Sequence, residues 1–144
     1  MALCVDIDGV LADARHRQHH LTEGWRDWDS FFMDATDDSV IEEQVTFLRE
    51  VDDEHTIALV TSRPDWTAHI TVEWLERHEI PWHVLIMRTT GDYGRAADIK
   101  TLAVRQLQAQ GFEPILAIDD HPANIRAYQQ LGIKTVYIDS GYHT

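Results

Sequence analysis

The sequence has little cysteine, no long apolar run and few basic residues, and each scarcity excludes a class of protein. Cys4 is the single cysteine among 144 residues, which rules out an internal disulfide and suits a reducing cytoplasm. No apolar run approaches the roughly 20 residues of a membrane-spanning helix. No basic region precedes the apolar N-terminal stretch, so we expect neither a signal peptide nor a membrane partner. We expect Cys4 to be a small buried residue of the first strand.

The charge is strongly negative and unevenly distributed. The formal net charge is −13, and residues 1–54 contain 15 acidic but only 4 basic side chains. Long nucleic acids are gripped through their phosphates by clustered Lys and Arg, so we expect any polyanionic substrate to be held locally, at one end or one phosphate. The length and the hydrophobic content of 44% predict a single domain over residues 1–144.

The N-terminal stretch contains the main chemical signal. An apolar run of strand length leads into Asp6, Asp8 and Gly9. Because side chains alternate between the two faces of a strand, Asp6 and Asp8 should leave the strand end on the same side. Burying unpaired carboxylates is costly, and Mg²⁺ binds a few carboxylate oxygens while keeping part of its water shell. The pair therefore suggests a magnesium site, although an Asp-rich turn is the alternative.

Strands and helices alternate along the rest of the chain. Further strands are predicted at 56–61, 83–87, 114–118 and 135–138, each as an apolar run. This alternation predicts an α/β fold with a five-stranded parallel sheet and helices on both faces. Ligands of such sheets bind beyond the carboxyl ends of the strands. Polar residues follow those ends here, namely Thr61, Ser62 and Arg63, then Arg88, then Asp119 and Asp120, with Lys100 in a helix beyond the Arg88 loop.

Two helix features are predicted from local spacing. Ser39 and Glu42 form a capping-box pattern, which predicts a helix beginning at about Ser39. In the next predicted helix, at about 65–77, Trp66 and Trp74 fall on one face, so both are expected in the core.

The segment 12–37 is too long for a simple connection, so it is expected to form a small lid or a substrate loop. Its aromatic residues, between Trp25 and Phe32, could stack on a nucleobase or sugar, or could fix the insertion to the domain. His16, His19 and His20 suggest a metal site at first sight, but no complementary Cys/His set follows at ligand spacing.

The ordered set of strand-end residues resembles the haloacid dehalogenase (HAD) superfamily of aspartate-nucleophile phosphatases. The resemblance implies a Rossmann-like HAD fold with a short insertion after strand 1. It implies that Asp6 is the nucleophile that forms an aspartyl phosphate. It implies that Asp8 is the general acid and then the general base, which requires an environment that raises the pKa of Asp8.

The same resemblance implies the ligand set. Mg²⁺ would lie between Asp6, the backbone carbonyl of Asp8 and Asp119, and Asp120 would be a ligand or orient a bound water. Thr61, Ser62 and Lys100 would surround the phosphoryl oxygens.

Within the superfamily, the chain is most similar to the phosphatase domain of phage-type polynucleotide kinase/phosphatase, which removes 3′-phosphates from nucleic-acid ends. By position, Arg17, Arg63 and Arg88 resemble arginines that this family uses around the phosphate or the adjacent nucleotide. Two positions depart from the pattern: Val10 replaces a commoner Thr, and Ala96 stands where an acidic residue is expected, with Asp98 as a possible replacement. The matching elements are Val60-Thr61-Ser62-Arg63, the spacing from Arg88 to Lys100, Ala117-Ile118-Asp119-Asp120, and Ser140-Gly141.

Three functions are compatible with these residues. The resemblance favours an Mg²⁺-dependent phosphatase of 3′-phosphorylated DNA or RNA ends in end repair, with a separate kinase or ligase as a possible partner. A small-molecule phosphatase, such as a nucleotidase, would use segment 12–37 as a lid over a compact substrate. A binding module that has lost catalysis would not need the intact set of Asp6, Asp8, Lys100 and Asp119.

Overall fold

The computed structural model describes residues 1–22 and 25–143, and a parallel sheet forms its centre. Five strands hydrogen-bond in the order β5-β4-β1-β6-β7, and every pairing in this sheet is parallel. The predicted α/β fold with a five-stranded parallel sheet is confirmed. The strands are β1 (Ala2–Val5), β2 (Ala12–Asp13), β3 (Ser39–Val40), β4 (Thr56–Pro64), β5 (Val84–Arg88), β6 (Pro114–Asp119) and β7 (Lys134–Tyr137).

Helices cover both faces of the sheet, and the alternation of side chains along β1 shows how. Leu3 and Val5 join one buried cluster with Trp74, whereas Cys4 joins a second cluster with Leu107. Burial also raises the pKa of the Cys4 thiol to about 12, in line with its expected place in the core. The helices are α1 (His19–Thr22), α2 (Trp28–Met33), α3 (Glu42–Val51), α4 (Ala68–Arg77), α5 (Ala96–Ala109) and α6 (Pro122–Gln130). Among the described residues, no helix has both the length and the apolar character needed to cross a bilayer.

The predicted capping box at Ser39 is wrong. Ser39 pairs with Asp13 in the antiparallel β2–β3 ladder, so its backbone is extended. Helix α3 begins three residues later, with Ile41 as its N-cap and no side-chain capping bond. The strand pairing, which depends on a segment distant in sequence, decides the position of this helix start.

The two tryptophans expected in the core lie in different environments. Trp74 is completely buried, as predicted, and its indole Nε1 donates to the carbonyl of Asp38 at 2.9 Å. Trp66 is 36% exposed, so its predicted place in the core is wrong. The cause is local: residues 65–67 form a 3₁₀ turn before α4 begins at Ala68, so helical spacing does not extend back to Trp66.

The insertion after β1 folds as short elements. It contains β2, a 3₁₀ turn at Arg15–Arg17, helices α1 and α2, and a second 3₁₀ turn at Asp34–Asp37. Residues 23 and 24, within the predicted lid or substrate loop, lie outside the described residues.

Candidate active site

A buried lysine joins two aspartates beneath the carboxyl end of the sheet. The Nζ of Lys100 lies 3.0 Å from Asp6 Oδ1 and 3.0 Å from Asp119 Oδ2, and it donates to the carbonyl of Val60 at 2.6 Å. Lys100 has no exposed surface. Its burial alone would lower the pKa of the ammonium, but the charges of Asp119 and Asp6 outweigh this and raise that pKa well above its usual value. Lys100 is therefore a fixed cation under Asp6.

The surroundings of Asp6 disfavour the ionisation of its carboxyl group. Burial is the main cause that raises its pKa well above the usual value, and the negative charge of Asp119 adds to it, whereas Lys100 acts in the opposite direction. Asp6, Asp119 and Asp120 each bring a carboxylate oxygen within 4.8 Å of the others. Lys100 alone does not balance three carboxylates, and a compact set of hard oxygen donors such as this one fits a divalent cation.

Gly9, three residues after Asp6, leaves room for the side chain of Asp120. Gly9 has a φ of +82°, and a Cβ at this position would lie 2.2 Å from Asp120 Oδ2. Asp120 Oδ2 accepts from Ser140 Oγ at 2.6 Å and lies 3.4 Å from His143 Nε2. Burial tends to raise the pKa of Asp120, but the contacts with His143 and Ser140 lower it overall. Residues 140–143 thus help to keep the carboxylate of Asp120 ionised.

Asp119 has its own supports, which fix both of its oxygens. Its Oδ1 accepts from the backbone N–H of His121 at 3.0 Å and from Asn124 Nδ2 at 3.2 Å, while Oδ2 faces Lys100. Asn124 and His121 did not emerge from the sequence as site residues, because side chains in the first turn of a helix are ordinarily capping or surface residues.

Asp8 lies between two arginines. Its Oδ1 accepts from Arg17 Nη2 at 2.5 Å and from Arg63 Nη2 at 2.7 Å, and its Oδ2 accepts from Arg63 Nε at 3.1 Å. Burial alone would raise the pKa of Asp8, but the charges of Arg63 and Arg17 outweigh it, so the pKa lies well below the usual value. The predicted environment that raises the pKa of Asp8 is therefore wrong for this structure, and Asp8 is a carboxylate.

Asp38 holds both of those arginines from behind. It accepts from Arg17 Nε at 2.9 Å and from Arg17 Nη2 at 2.7 Å, and its Oδ2 lies 3.5 Å from Arg63 Nη2. His16 Nε2 lies 2.7 Å from Asp38 Oδ1. Sequence analysis missed Asp38 because it is one of three aspartates within residues 34–38, and no local pattern distinguishes the buried one from its neighbours.

The remaining predicted phosphate-binding residues are engaged with the backbone. Thr61 is buried, and its Oγ1 accepts from the amide of Arg63 at 3.1 Å. The carbonyl of Ser62 accepts from Arg88 Nε at 3.0 Å. Arg88 Nη1 donates to the carbonyls of Asp92 and Gly94, so Arg88 fixes the loop that leads into α5.

The carboxylate expected near residue 96 is not supplied by Asp98. Asp98 is exposed and pairs with Arg95 at 3.2 Å. Ala96 itself lines the cleft above the site. The carboxylate partners of Lys100 are Asp6 and Asp119.

A cleft of about 840 Å³ opens above these residues. Asp6, Asp8 and Asp120 lie on its wall, together with Arg63 and Arg88, whereas Arg17 is fully buried behind Asp8. The insertion contributes one side of the cleft, and the loop before α5 contributes another. Other lining residues are Arg26, Trp28, Asp29, Phe32, Trp66, Tyr93, His121 and His143.

Comparison with solved structures places this fold among the HAD-like hydrolases. A chain of the Pnkp1/Rnl/Hen1 RNA repair complex superposes with a TM-score of 0.81 at 18% identity, over 95% of this chain and 42% of that one. A haloacid dehalogenase-like hydrolase from Streptococcus pneumoniae superposes with a TM-score of 0.69 at 14% identity, over 94% and 83% of the two chains. An L-2-haloacid dehalogenase superposes with a TM-score of 0.62 at 12% identity, over 94% and 82%.

The family follows from the sequence itself. The family model described as the polynucleotide kinase PNKP phosphatase domain matches residues 1–143. The chain therefore belongs to this family and is a HAD-type phosphatase. None of the curated proteins matches it. The chain spans only about two fifths of the length of the Pnkp1 complex chain that it resembles.

Exchanging Asp38 for Asn tests the role of this residue in holding the two arginines. Removing one partner of a buried ion pair typically costs several kcal/mol, so we expect Asp38→Asn to lower the free energy of unfolding by about 3 kcal/mol. Asp37→Asn is the matched control, since Asp37 is exposed and surface exchanges usually stay within about 0.5 kcal/mol. Urea denaturation of both variants measures the difference, and equal stabilities would show that Asp38 is not needed for this network.

Proposed function

We propose that this protein is an Mg²⁺-dependent phosphomonoesterase that removes 3′-phosphates from DNA or RNA ends through an aspartyl-phosphate on Asp6. The observation that supports it most directly is the position of Asp6, on the cleft wall and in contact with the buried cation of Lys100. A carboxylate nucleophile must meet an anionic phosphate, so positive charge close to it is the first requirement of this reaction.

The three-carboxylate cluster of Asp6, Asp119 and Asp120 would hold the magnesium ion. A bound divalent cation would neutralise charge between nucleophile and phosphate and lower the pKa of Asp6 into its ionised range. Asp6 and Asp120 line the cleft, while Asp119 is fully buried and tied to Lys100 and Asn124. The carboxylate of Asp8 is not part of this cluster and would take part only through its backbone carbonyl.

Asp8 would act as the general acid for the leaving oxygen and then as the base for water. Its carboxylate is saturated by Arg17 and Arg63, which keeps it ionised. Arg63 also lies on the cleft wall, so a phosphate dianion entering there would compete with Asp8 for that guanidinium. Losing part of this pairing would raise the pKa of Asp8, which is the condition that proton donation needs. Arg17, held by Asp38, would keep the Asp8 side chain oriented throughout.

The preference for a polymer end is supported by the family and by the charge. The matched family is a polynucleotide kinase phosphatase domain, and one structural relative comes from an RNA repair complex. A net charge of −13 is unsuited to binding long stretches of nucleic acid, whereas a single end needs only the cleft. By analogy with that complex, a separate kinase or ligase would act with this chain.

Replacing the nucleophile tests the covalent mechanism. Asp6→Asn keeps the side-chain shape and removes the attacking oxygen anion, so we expect no turnover of any phosphomonoester above background, with a normal circular dichroism spectrum. Asp29→Asn, at an exposed carboxylate that also lines the cleft, is the control and should keep wild-type activity. Acid-quenched reactions with a labelled phosphate should give a covalent adduct in wild type and in Asp29→Asn, but not in Asp6→Asn. Activity retained by Asp6→Asn would exclude the covalent mechanism.

Metal binding can be measured without turnover. A ligand at about 100 times its dissociation constant stabilises the folded state by about 2.7 kcal/mol, so saturating Mg²⁺ should raise the Tm of the wild-type protein by several degrees. Asp120→Asn removes one of the three carboxylates and should abolish that increase, whereas Asp29→Asn should keep it. An equal Tm increase in all three proteins would place the ion elsewhere.

The substrate follows from rates compared side by side at saturating Mg²⁺. The substrates are one oligonucleotide carrying either a 3′- or a 5′-phosphate, and a set of 3′- and 5′-mononucleotides. We expect the highest kcat/KM for the 3′-phosphorylated oligonucleotide. Faster turnover of a mononucleotide would instead favour a nucleotidase that uses the insertion over a compact substrate.

A further inference from the structure

Three aromatic rings that the reaction does not use form one wall of the cleft. Trp28 is 47% exposed and Trp66 is 36% exposed, and Phe32 lies between them. The rings of Trp28 and Phe32 stack at 5.8 Å with an angle of 25°, and Phe32 meets Trp66 edge-on at 6.2 Å. A group of large apolar side chains that is exposed at a cleft typically marks a binding surface.

The aromatic wall is positioned by the same residues that position Asp8. Phe31 packs edge-on against Phe32 at 5.3 Å, and the guanidinium of Arg17 lies over the Phe31 ring at 4.5 Å. Arg17 in turn binds Asp8 at 2.5 Å. A continuous set of contacts therefore joins the wall to the predicted general acid, so a group that packs on the wall is held in a fixed relation to the reacting phosphate.

The basic side chains that line the cleft provide few contacts for binding a nucleotide. Among the described residues that line it, the only Lys or Arg side chains are Arg26, Arg63 and Arg88. Arg63 is bound to Asp8, and Arg88 is bound to backbone carbonyls. Contacts between phosphates and several free cations, the usual source of affinity for single strands, are therefore scarce. Stacking of bases on aromatic rings does not need them.

We propose that Trp28, Phe32 and Trp66 form a stacking subsite for the base of the nucleotide that carries the scissile phosphate. This inference rests on the proposed function, since it assigns a second part of the same substrate. The cleft of about 840 Å³ lies in the size range of pockets that enclose ligands of nucleotide size. Because every base has a π-face, the subsite accepts all four bases with little discrimination.

The test compares two 3′-phosphorylated oligonucleotides that differ only in the last nucleotide, which carries a base in one and is abasic in the other. Stacking on one ring is worth about 5- to 150-fold in affinity. We expect wild-type KM to be lower for the base-bearing substrate by a factor in that range. Trp66→Ala should reduce this preference toward unity by raising KM for the base-bearing substrate more than KM for the abasic one. Trp66→Phe, which keeps an aromatic face, should restore most of it.

Trp25→Ala is the matched control, since Trp25 is 93% exposed and does not line the cleft, and it should keep the wild-type preference. Equal KM values for the two substrates in wild type, or an equal KM increase for both in Trp66→Ala, would overturn the subsite and leave the proposed function standing. If neither 3′-end is hydrolysed, the proposed function fails. In that case, tryptophan fluorescence tests the subsite by itself. Quenching by base-bearing but not by abasic strands, and its loss in Trp66→Ala, would support the subsite, whereas equal quenching by both strands would overturn it.

Discussion

The structure depends on the pairing of charges that are buried at one edge of a parallel sheet. Lys100 satisfies Asp6 and Asp119, while Arg17 and Arg63 satisfy Asp8 and Asp38. Each of these ions would destabilise the fold if it were buried alone, since taking a single charge out of water costs several kcal/mol. The fold can keep such charges only as a complete set.

This constraint explains why distant parts of the chain must meet at the site. Asp6 directly follows β1, the end of β4 supplies Arg63, α5 supplies Lys100, and the insertion supplies Arg17. Parallel strands have their carboxyl ends at the same edge, so the sheet brings the strand residues together without further help. The insertion contributes the remaining cation, and it therefore belongs to the active site as much as to its rim.

The sequence was sufficient for the sheet and for the residues at strand ends, because apolar runs and strand polarity are local patterns. The sequence does not show which of the aspartates within residues 34–38 is buried, so it does not identify Asp38 as a site residue. Local patterns also gave two wrong predictions, a helix cap at Ser39 and a core position for Trp66. A β-ladder decides the first position and a 3₁₀ turn decides the second, and neither follows from local spacing. The low pKa of Asp8 depends on Arg17 and Arg63 together, which only the assembled site contains.

The two halves of the site have different requirements, and the structure meets them with different chemistry. Phosphoryl transfer needs concentrated charge, and the buried aspartates with Lys100 provide it in a small volume. Recognition of the rest of the substrate must not add more negative charge to that volume, and an acidic chain has few cations to spare. Aromatic faces solve this problem because they bind bases through dispersion and stacking. Phe31, under Arg17, is where the two parts touch, so the proposed stacking subsite and Asp8 are physically joined.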